Sequence, residues 1–503
     1  MLEAIWQGIA NVLNPSMLPW IFLGVLVGLT VGILPGLGIA ATLAILLPIV
    51  YGLNPTFALT FLLVISAAGS QGGSVTSILF GVPGESFSTA TMLDGYPLAQ
   101  QGKAGQALGS AQMASTMGAV FGGIVLALLI PIAKPIILAF GSPEMFMMAI
   151  LGISFIAVLG KGSARKAFIA AALGIVLSFV GFHSGTGVLR YTGGMLYFWN
   201  GLQVVPVFMG LFAIPEVIDL ASKGGTIAKG EKTNVGWSDV KEGIVDSFRH
   251  WSLVLRCSAI GTAMGLVPGV GSVVSQFICY GYAKQSSKRP QDFGSGNIEG
   301  VIAPESGNNA KEGGSLFTAL AFGLPSGAPM VIILAALMVL GIKPGSDMIT
   351  KHLDLFWTLV VSLILGNILA SAVCILSAKA LAKITFIRGT VLVPIIILLV
   401  ILGSYGVAND VRDVVLAFAF GGIGHLMKKY DYSRVTLTIG FVLGDYVERY
   451  FLLSLATLGP GFLLVSPIAL GLFAVTVFGL ASRFIKGLSK KFFKGLREEE
   501  EEE

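Results

Sequence analysis

Apolar residues run along this chain in long stretches, separated by short polar segments rich in glycine and proline. The runs fall at 17–52, 56–82, 104–140, 143–160, 167–188, 195–219, 251–283, 314–342, 354–384, 389–408, 411–427, 433–458 and 463–485. A bilayer core takes about 20 apolar residues per helical crossing. The pattern therefore predicts an all-α polytopic membrane protein with about 10 to 13 membrane elements. Several runs exceed one crossing and contain Pro and Gly, so broken or re-entrant helices are expected among them. Polar stretches interrupt the pattern at 83–103, 221–250 and 284–313.

The interruptions repeat. Residues 28–38 read GLTVGILPGLG and residues 261–271 read GTAMGLVPGVG, both fitting G-x3-G-x2-P-G-x-G, 233 residues apart. Behind each comes a second pair, GGSVTSILFGVPG at 72–84 and GGSLFTALAFGLPSG at 313–327, aligned on GGS with one residue inserted before the next G-x-P. Two ordered matches divide the chain into a first transmembrane repeat at 1–220, a cytoplasmic linker at 221–250, a second repeat at 251–485 and a charged tail at 486–503.

Charge placement orients these parts. Lys161, Arg165 and Lys166 form one basic cluster, the 221–250 stretch a second, and Arg483, Lys486, Lys490, Lys491, Lys494 and Arg497 a third. Basic loops collect in the cytoplasm, which puts the linker and the C-terminus there. The first 16 residues carry no Lys or Arg, so the N-terminus is expected outside, with the first span acting as its own insertion signal. The halves would then start on opposite sides, as inverted repeats do.

Composition narrows the class. Of 503 residues 54% are hydrophobic and 12% charged, against about 25% charged in soluble proteins. A soluble enzyme, a disordered chain and a nucleic-acid binder are excluded. Cys257, Cys279 and Cys374 sit inside apolar runs and suggest neither a disulfide framework nor a metal cluster. The four histidines show no ligand spacing, and no HExxH, Walker A or paired CxxC motif occurs, which argues against a metalloenzyme or an ATPase.

Pro-Gly-x-Gly cannot be ordinary helix interior, because proline removes a donor and clashes with the preceding turn. Pro35, Gly36 and Gly38, and in the second half Pro268, Gly269 and Gly271, are expected to break helices at membrane depth. The freed backbone groups there must face protein, ligand or water. A helix that restarts after the break offers its N-terminus to an anion. A kink is the plain alternative for one such motif; two at matching places favour a ligand site. Nearby small and polar residues complete the candidate substrate site: Gly72, Gly73, Ser74, Gly314 and Ser315, with Ser306, Asn308 and Asn309 ahead of the second GGS. Carbonyl and hydroxyl oxygens near Gly36, Ser74, Gly269 and Ser315 are candidates for Na⁺. Ser74, Ser306, Asn308 and Asn309 are the leading neutral donors to a carboxylate, and Lys311 is the rival cation. Among the few charges in apolar runs, Asp445 and Arg449 lie four apart and can pair. Asp94 and Asp445 are the only aspartates that tempt an intramembrane-enzyme reading. No GxGD motif accompanies them, and a passive channel has no ring of charges to mark it.

The chain resembles the large membrane subunit of the tripartite tricarboxylate transporters, the TctA family. The resemblance rests on GILPGLG at 32–38, GGSVTSILFGVPGESFSTATMLDGYPLAQQGKAGQALG at 72–109, GLVPGVG at 265–271 and EGVIAPESGNNAKEGG at 299–314. It implies a bacterial inner-membrane secondary transporter for citrate-like di- and tricarboxylates, driven by Na⁺ or H⁺ and needing no cofactor. It implies two partners, a small membrane subunit and a periplasmic solute-binding protein. The family's late helix carries Pro after Leu-Gly and Arg four residues after its Glu. Here Asp445 and Leu452 hold those places, so the late charge pair is not carried over.

Overall fold

A computed structural model describes residues 2–34, 38–85, 88–159, 164–183, 186–223, 236–268, 272–384 and 389–478. Pro35, Gly36, Gly269 and Gly271, residues 224–235 of the linker and the 486–503 tail lie outside the described residues. Helices dominate. The first half supplies α1 (Leu2–Leu13), α2 (Leu18–Ile33), α3 (Ile39–Leu46), α4 (Pro55–Phe80), α5 (Thr89–Gln100) and α6 (Ala104–Leu138). Then come α7 (Ser142–Leu159), α8 (Ala164–Ser178), a two-stranded pair β1 (Gly181–Phe182) and β2 (Leu189–Arg190), α9 (Val204–Phe208) and α10 (Ile214–Lys223). The second half holds α11 (Trp237–Arg249), α12 (Trp251–Leu266), α13 (Ser272–Ser286), α14 (Glu299–Phe322), α15 (Ala328–Val339), α16 (Ser346–Thr350) and α17 (Leu353–Ile384). It ends with α18 (Gly389–Ala408), α19 (Val411–Lys429), α20 (Arg434–Leu458) and α21 (Phe462–Val465).

Four helices are long and apolar enough to cross a membrane among the described residues: Pro55–Phe80, Ala104–Pro135, Val204–Ser222 and Leu353–Ser377. The pair α1 and α2, bent by 70°, makes a fifth if it forms one span. Shorter apolar helices stand beside them, including α12 and α15. The class is all-α and polytopic.

Two compact units are present, one from residues 1–137 and 203–430, the other from 138–202 and 431–503. The first holds both repeat cores. The Pro-Gly motifs fall where helices stop: α2 gives way to extended Leu34 and α12 to extended Val267, and the chain resumes helix at Ile39 and Ser272. Each break leads on to a long buried helix, α4 or α14. Asn54 caps α4 by accepting from the Thr56 amide, with Pro55 at the first helical position. Both α4 and α14 end on a left-handed glycine, Gly81 at φ +62° and Gly323 at φ +69°, where a side chain would be strained.

Packing fixes the repeat's register. In α2, Gly28 and Gly32 lie on the carbonyls of Ile65 and Gly69 of α4, and Gly72 returns the contact on Leu29. In α12, Gly261 and Gly265 lie on Gly307 and Lys311 of α14, and Gly314 returns it on Thr262. Gly72 therefore matches Gly314, and Gly81 matches Gly323, both 242 apart. This corrects the alignment on GGS: no residue is inserted, because an insertion within a helix would rotate its packing face by about 100°. Valine at Gly32 or Gly265 is expected to force the helices apart and cost about 1–3 kcal/mol. Thermal unfolding in detergent should show a lowered midpoint, while Gly281→Ala in α13, with open space around it, leaves the midpoint unchanged.

The halves also exchange partners. Helix α1 packs on α17 and α11 on α6, while α17 packs on α4 and α6 on α14. Likewise α3 meets α15 and α5 meets α13. These contacts between the halves come in reciprocal pairs.

In the second unit, α8 and α20 pack through Gly174 on Leu437 and Gly440 on Ala171. Phe462 meets Phe146 and Phe451 edge to face, and those two rings pack tilted against each other.

Candidate functional site

The core of the first unit is polar where a membrane protein's core is normally apolar. A seam of amides and hydroxyls joins α4, α6, α14 and α17. Gln71 donates to Asn367 Oδ1 at 2.9 Å and accepts from Ser371 Oγ at 2.9 Å. Asn309 also donates to Asn367 Oδ1, at 2.7 Å, and Asn308 donates to Asn309 Oδ1. Gln112 donates to Ser74 Oγ at 3.1 Å, and Thr116 meets Ser371 at 2.5 Å. All but Thr116 are buried. No charge is needed here, because each amide offers both donors and acceptors to its neighbours.

Two helix starts lie beside this seam, and the chain fills them differently. At the start of α3 the Glu85 carboxylate accepts the backbone N–H of Ile39. Gly38, at the same start, lies beside that carboxylate. A helix N-terminus attracts negative charge, so the first break already holds an anion, the chain's own. At the start of α13, Lys311 Nζ of α14 donates to Ser272 Oγ at 2.9 Å. Lys311 is 4% exposed, and its partner Glu312 lies 3.7 Å away. Here a buried ammonium and a helix N-terminus point positive potential at one place. On α14, one turn to either side of Lys311, Asn308 Oδ1 and Ser315 Oγ are buried with no hydrogen-bond partner among the described residues, as is Ser326 Oγ just before α15.

Two more carboxylates are fully buried. Asp94 of α5 takes the amides of Gly294, Gly296 and Asn297 on one oxygen and the Tyr280 hydroxyl on the other. Four donors engage both oxygens, so it is an anchor for the 294–297 segment. Glu305 of α14 accepts from Thr91 Oγ1 at 2.5 Å and from Ser115 Oγ at 2.8 Å.

In the second unit the late charges do not pair as spacing alone suggests. Asp445 and Arg449 are exposed on α20. Glu448 instead takes a bidentate pair from Arg190 of β2 at 2.5 and 2.8 Å, with His183 Nε2 at 3.5 Å. Helical spacing gave Asp445 a possible partner on its own helix, but the hairpin brings a guanidinium to the neighbouring face, and a fork of two donors beats one flexible contact.

Among the residues singled out from sequence, Ser74, Asn308 and Asn309 enter the seam. Ser306 bonds the Ala303 carbonyl of its own helix. Gly72 and Gly314 serve helix contact, Gly73 lies against Ser88 and Glu85, and Pro268 follows the end of α12. Gln71, Gln112, Asn367, Ser371, Glu85 and Glu305 were not singled out. Amides inside otherwise apolar runs, such as Gln71 and Asn367, were the available signal.

Comparison with known proteins agrees with the resemblance. The model of the tripartite tricarboxylate transporter TctA family matches residues 18–439. An uncharacterized 52.8 kDa protein in the TAR-I ttuC' 3' region of Agrobacterium vitis is 35% identical over 474 residues, 93% of each chain. A second protein from that organism, in the TAR-II ttuC' 3' region, is 34% identical over 190 residues, 38% of this chain and 78% of its own. No solved structure matches the chain.

Proposed function

The chain belongs to the tripartite tricarboxylate transporter TctA family, a family of transporters and not of enzymes, and from that premise we propose that it moves small carboxylates across the bacterial inner membrane by secondary active uptake. Di- and tricarboxylates such as citrate are the substrate class, and a Na⁺ or H⁺ gradient supplies the energy. A periplasmic solute-binding protein delivers the substrate, and a small membrane subunit completes the transporter. The reciprocal packing of the two halves supports alternating access through inverted repeats, with the C-terminus in the cytoplasm and the N-terminus outside.

One observation carries the substrate assignment. Lys311, buried in the middle of α14, is aimed at Ser272 on the first turn of α13. A cation at the positive end of a helix is unfavourable until an anion joins them, and Glu312 answers only part of that field from 3.7 Å. A substrate carboxylate at this place accepts from Lys311, Ser272 and the α13 amides, as Glu85 does at α3. Ser315 Oγ offers a further donor, and Asn308 Oδ1 an acceptor for a substrate hydroxyl. Glu312 keeps the empty site near neutral, which limits the cost of carrying a lysine through the bilayer.

The test is uptake of labelled citrate and other carboxylates into proteoliposomes holding both membrane subunits, with purified receptor added. Gradient-driven accumulation is expected. Absence of uptake for every carboxylate under both Na⁺ and H⁺ gradients would overturn the assignment.

A further inference from the structure

Glu305 lies at the middle of the first unit, fully buried on α14. Its two oxygens are clasped by one hydroxyl each, Thr91 from α5 and Ser115 from α6. No lysine, arginine or histidine forms an ion pair with it among the described residues. Three other buried carboxylates have more donors than Glu305 or a cation beside them. Asp94 has four donors, Asp246 has Gln106 and Arg249, and Glu312 has Lys311. Two neutral hydroxyls do not compensate the loss of water around a full charge. Glu305 is thus held where the neutral, protonated form fits best.

Its placement ties it to the substrate site. Glu305 sits one turn before Asn308 and Asn309 and seven residues, two turns, before Glu312, on the same side of α14. Its two clasping hydroxyls belong to different helices, so any parting of α5 or α6 from α14 exposes the carboxyl to water. We propose that Glu305 is the proton carrier of this transporter. This rests on the carboxylate-uptake reading above and names its coupling ion as H⁺. A proton from water on one side binds a carboxylate oxygen, the neutral carboxyl moves with the loaded site, and the same proton leaves to water on the other side. No other reactant is involved. Two hydroxyls and one carboxyl are too few oxygens for an alkali-cation shell, whereas a single proton needs only one oxygen and one acceptor.

The groups facing Glu305 are few. From α17 the Cys374 thiol lies close enough to interact with it. On α5 the nearest titratable group is Asp94, whose oxygens are already engaged by Tyr280 and the 294–297 segment. Helix α4 carries no charged residue, and α6 carries none between Ala104 and Ser115. On α14 itself the charges are Glu299 near His250, at the helix start, and the Lys311–Glu312 pair.

The test uses proteoliposomes with both membrane subunits and the receptor, measuring two reactions. Net uptake is driven by an acid-outside pH gradient, and counterflow exchanges labelled outside substrate for unlabelled substrate inside, with no net ion movement. Glu305→Gln, a neutral copy of the protonated carboxyl, is expected to retain counterflow and lose pH-driven uptake to the level of protein-free vesicles. Ser115→Ala removes one donor to the ionised form and should move the pH midpoint of uptake upward, a shift readable even if Glu305→Gln does not fold. The proposal is overturned if Glu305→Gln still accumulates substrate on a pH gradient. It is equally overturned if Ser115→Ala leaves the midpoint unmoved, or if a Na⁺ gradient alone drives wild-type uptake at any pH. Wild-type vesicles that show neither uptake nor counterflow of any carboxylate overturn the transport reading itself, a separate result.

Discussion

Lys311→Ala is expected to abolish carboxylate uptake and to destabilise the protein at the same time. Removing one member of a buried ion pair leaves the other charged and alone, at a cost of about 3–5 kcal/mol. Glu312 would be that orphan, since it is buried and its ion-pair partner is Lys311. Loss of uptake by the single variant therefore mixes two causes. Lys311→Met combined with Glu312→Gln separates them, because it removes both charges and keeps the side-chain volumes. The double variant should unfold near the wild-type temperature yet show no substrate-dependent uptake. Wild-type uptake by that variant would mean that the ammonium at the start of α13 holds no substrate.

Asp94→Ala is expected to be the most damaging substitution for folding. It strips the acceptor from three backbone amides and one tyrosine hydroxyl at once. An unsatisfied buried donor costs about 1–3 kcal/mol; Gly294 is exposed and Gly296, Asn297 and Tyr280 are half-buried, so water offsets part of this for each, and the loss of four partners together still takes a sizeable share of a typical protein's net stability. Asp94→Asn keeps one carbonyl oxygen for the 294–297 amides but turns an amide N–H toward Tyr280, and should fall between. Thermal unfolding in detergent, together with protease cleavage between 284 and 297, reads both effects. An Asp94→Ala protein as stable and as protease-resistant as wild type would show that this junction is not what pins α5 to the loop before α14.

The chain itself determined the membrane class, the two breaks and the small residues around them. Those features are local. An apolar run 20 residues long has few alternatives to a buried helix, and proline followed directly by glycine removes a helix donor and adds backbone freedom at one place. Helices α2 and α12 accordingly stop one residue before the extended Leu34 and Val267, ahead of their Pro-Gly motifs.

Tertiary structure decided what stands beside what. Gln71 meets Asn367 across 296 residues, Thr91 meets Glu305 across 214, and Arg190 meets Glu448 across 258. Helical periodicity informs only on neighbours three or four residues apart, so it offered Asp445 to Arg449 and left Glu448's guanidinium unseen. Sequence likewise aligned GGS with GGS, because letters match without regard to which face packs. The close approach of α2 to α4, and of α12 to α14, leaves room for a glycine only at Gly72 and Gly314, and that contact set the register one residue further. The same logic governs the two helix starts. Alike in sequence as Pro-Gly breaks, they differ because the turn after α4 delivers a carboxylate to the first, while α14 delivers an ammonium to the second.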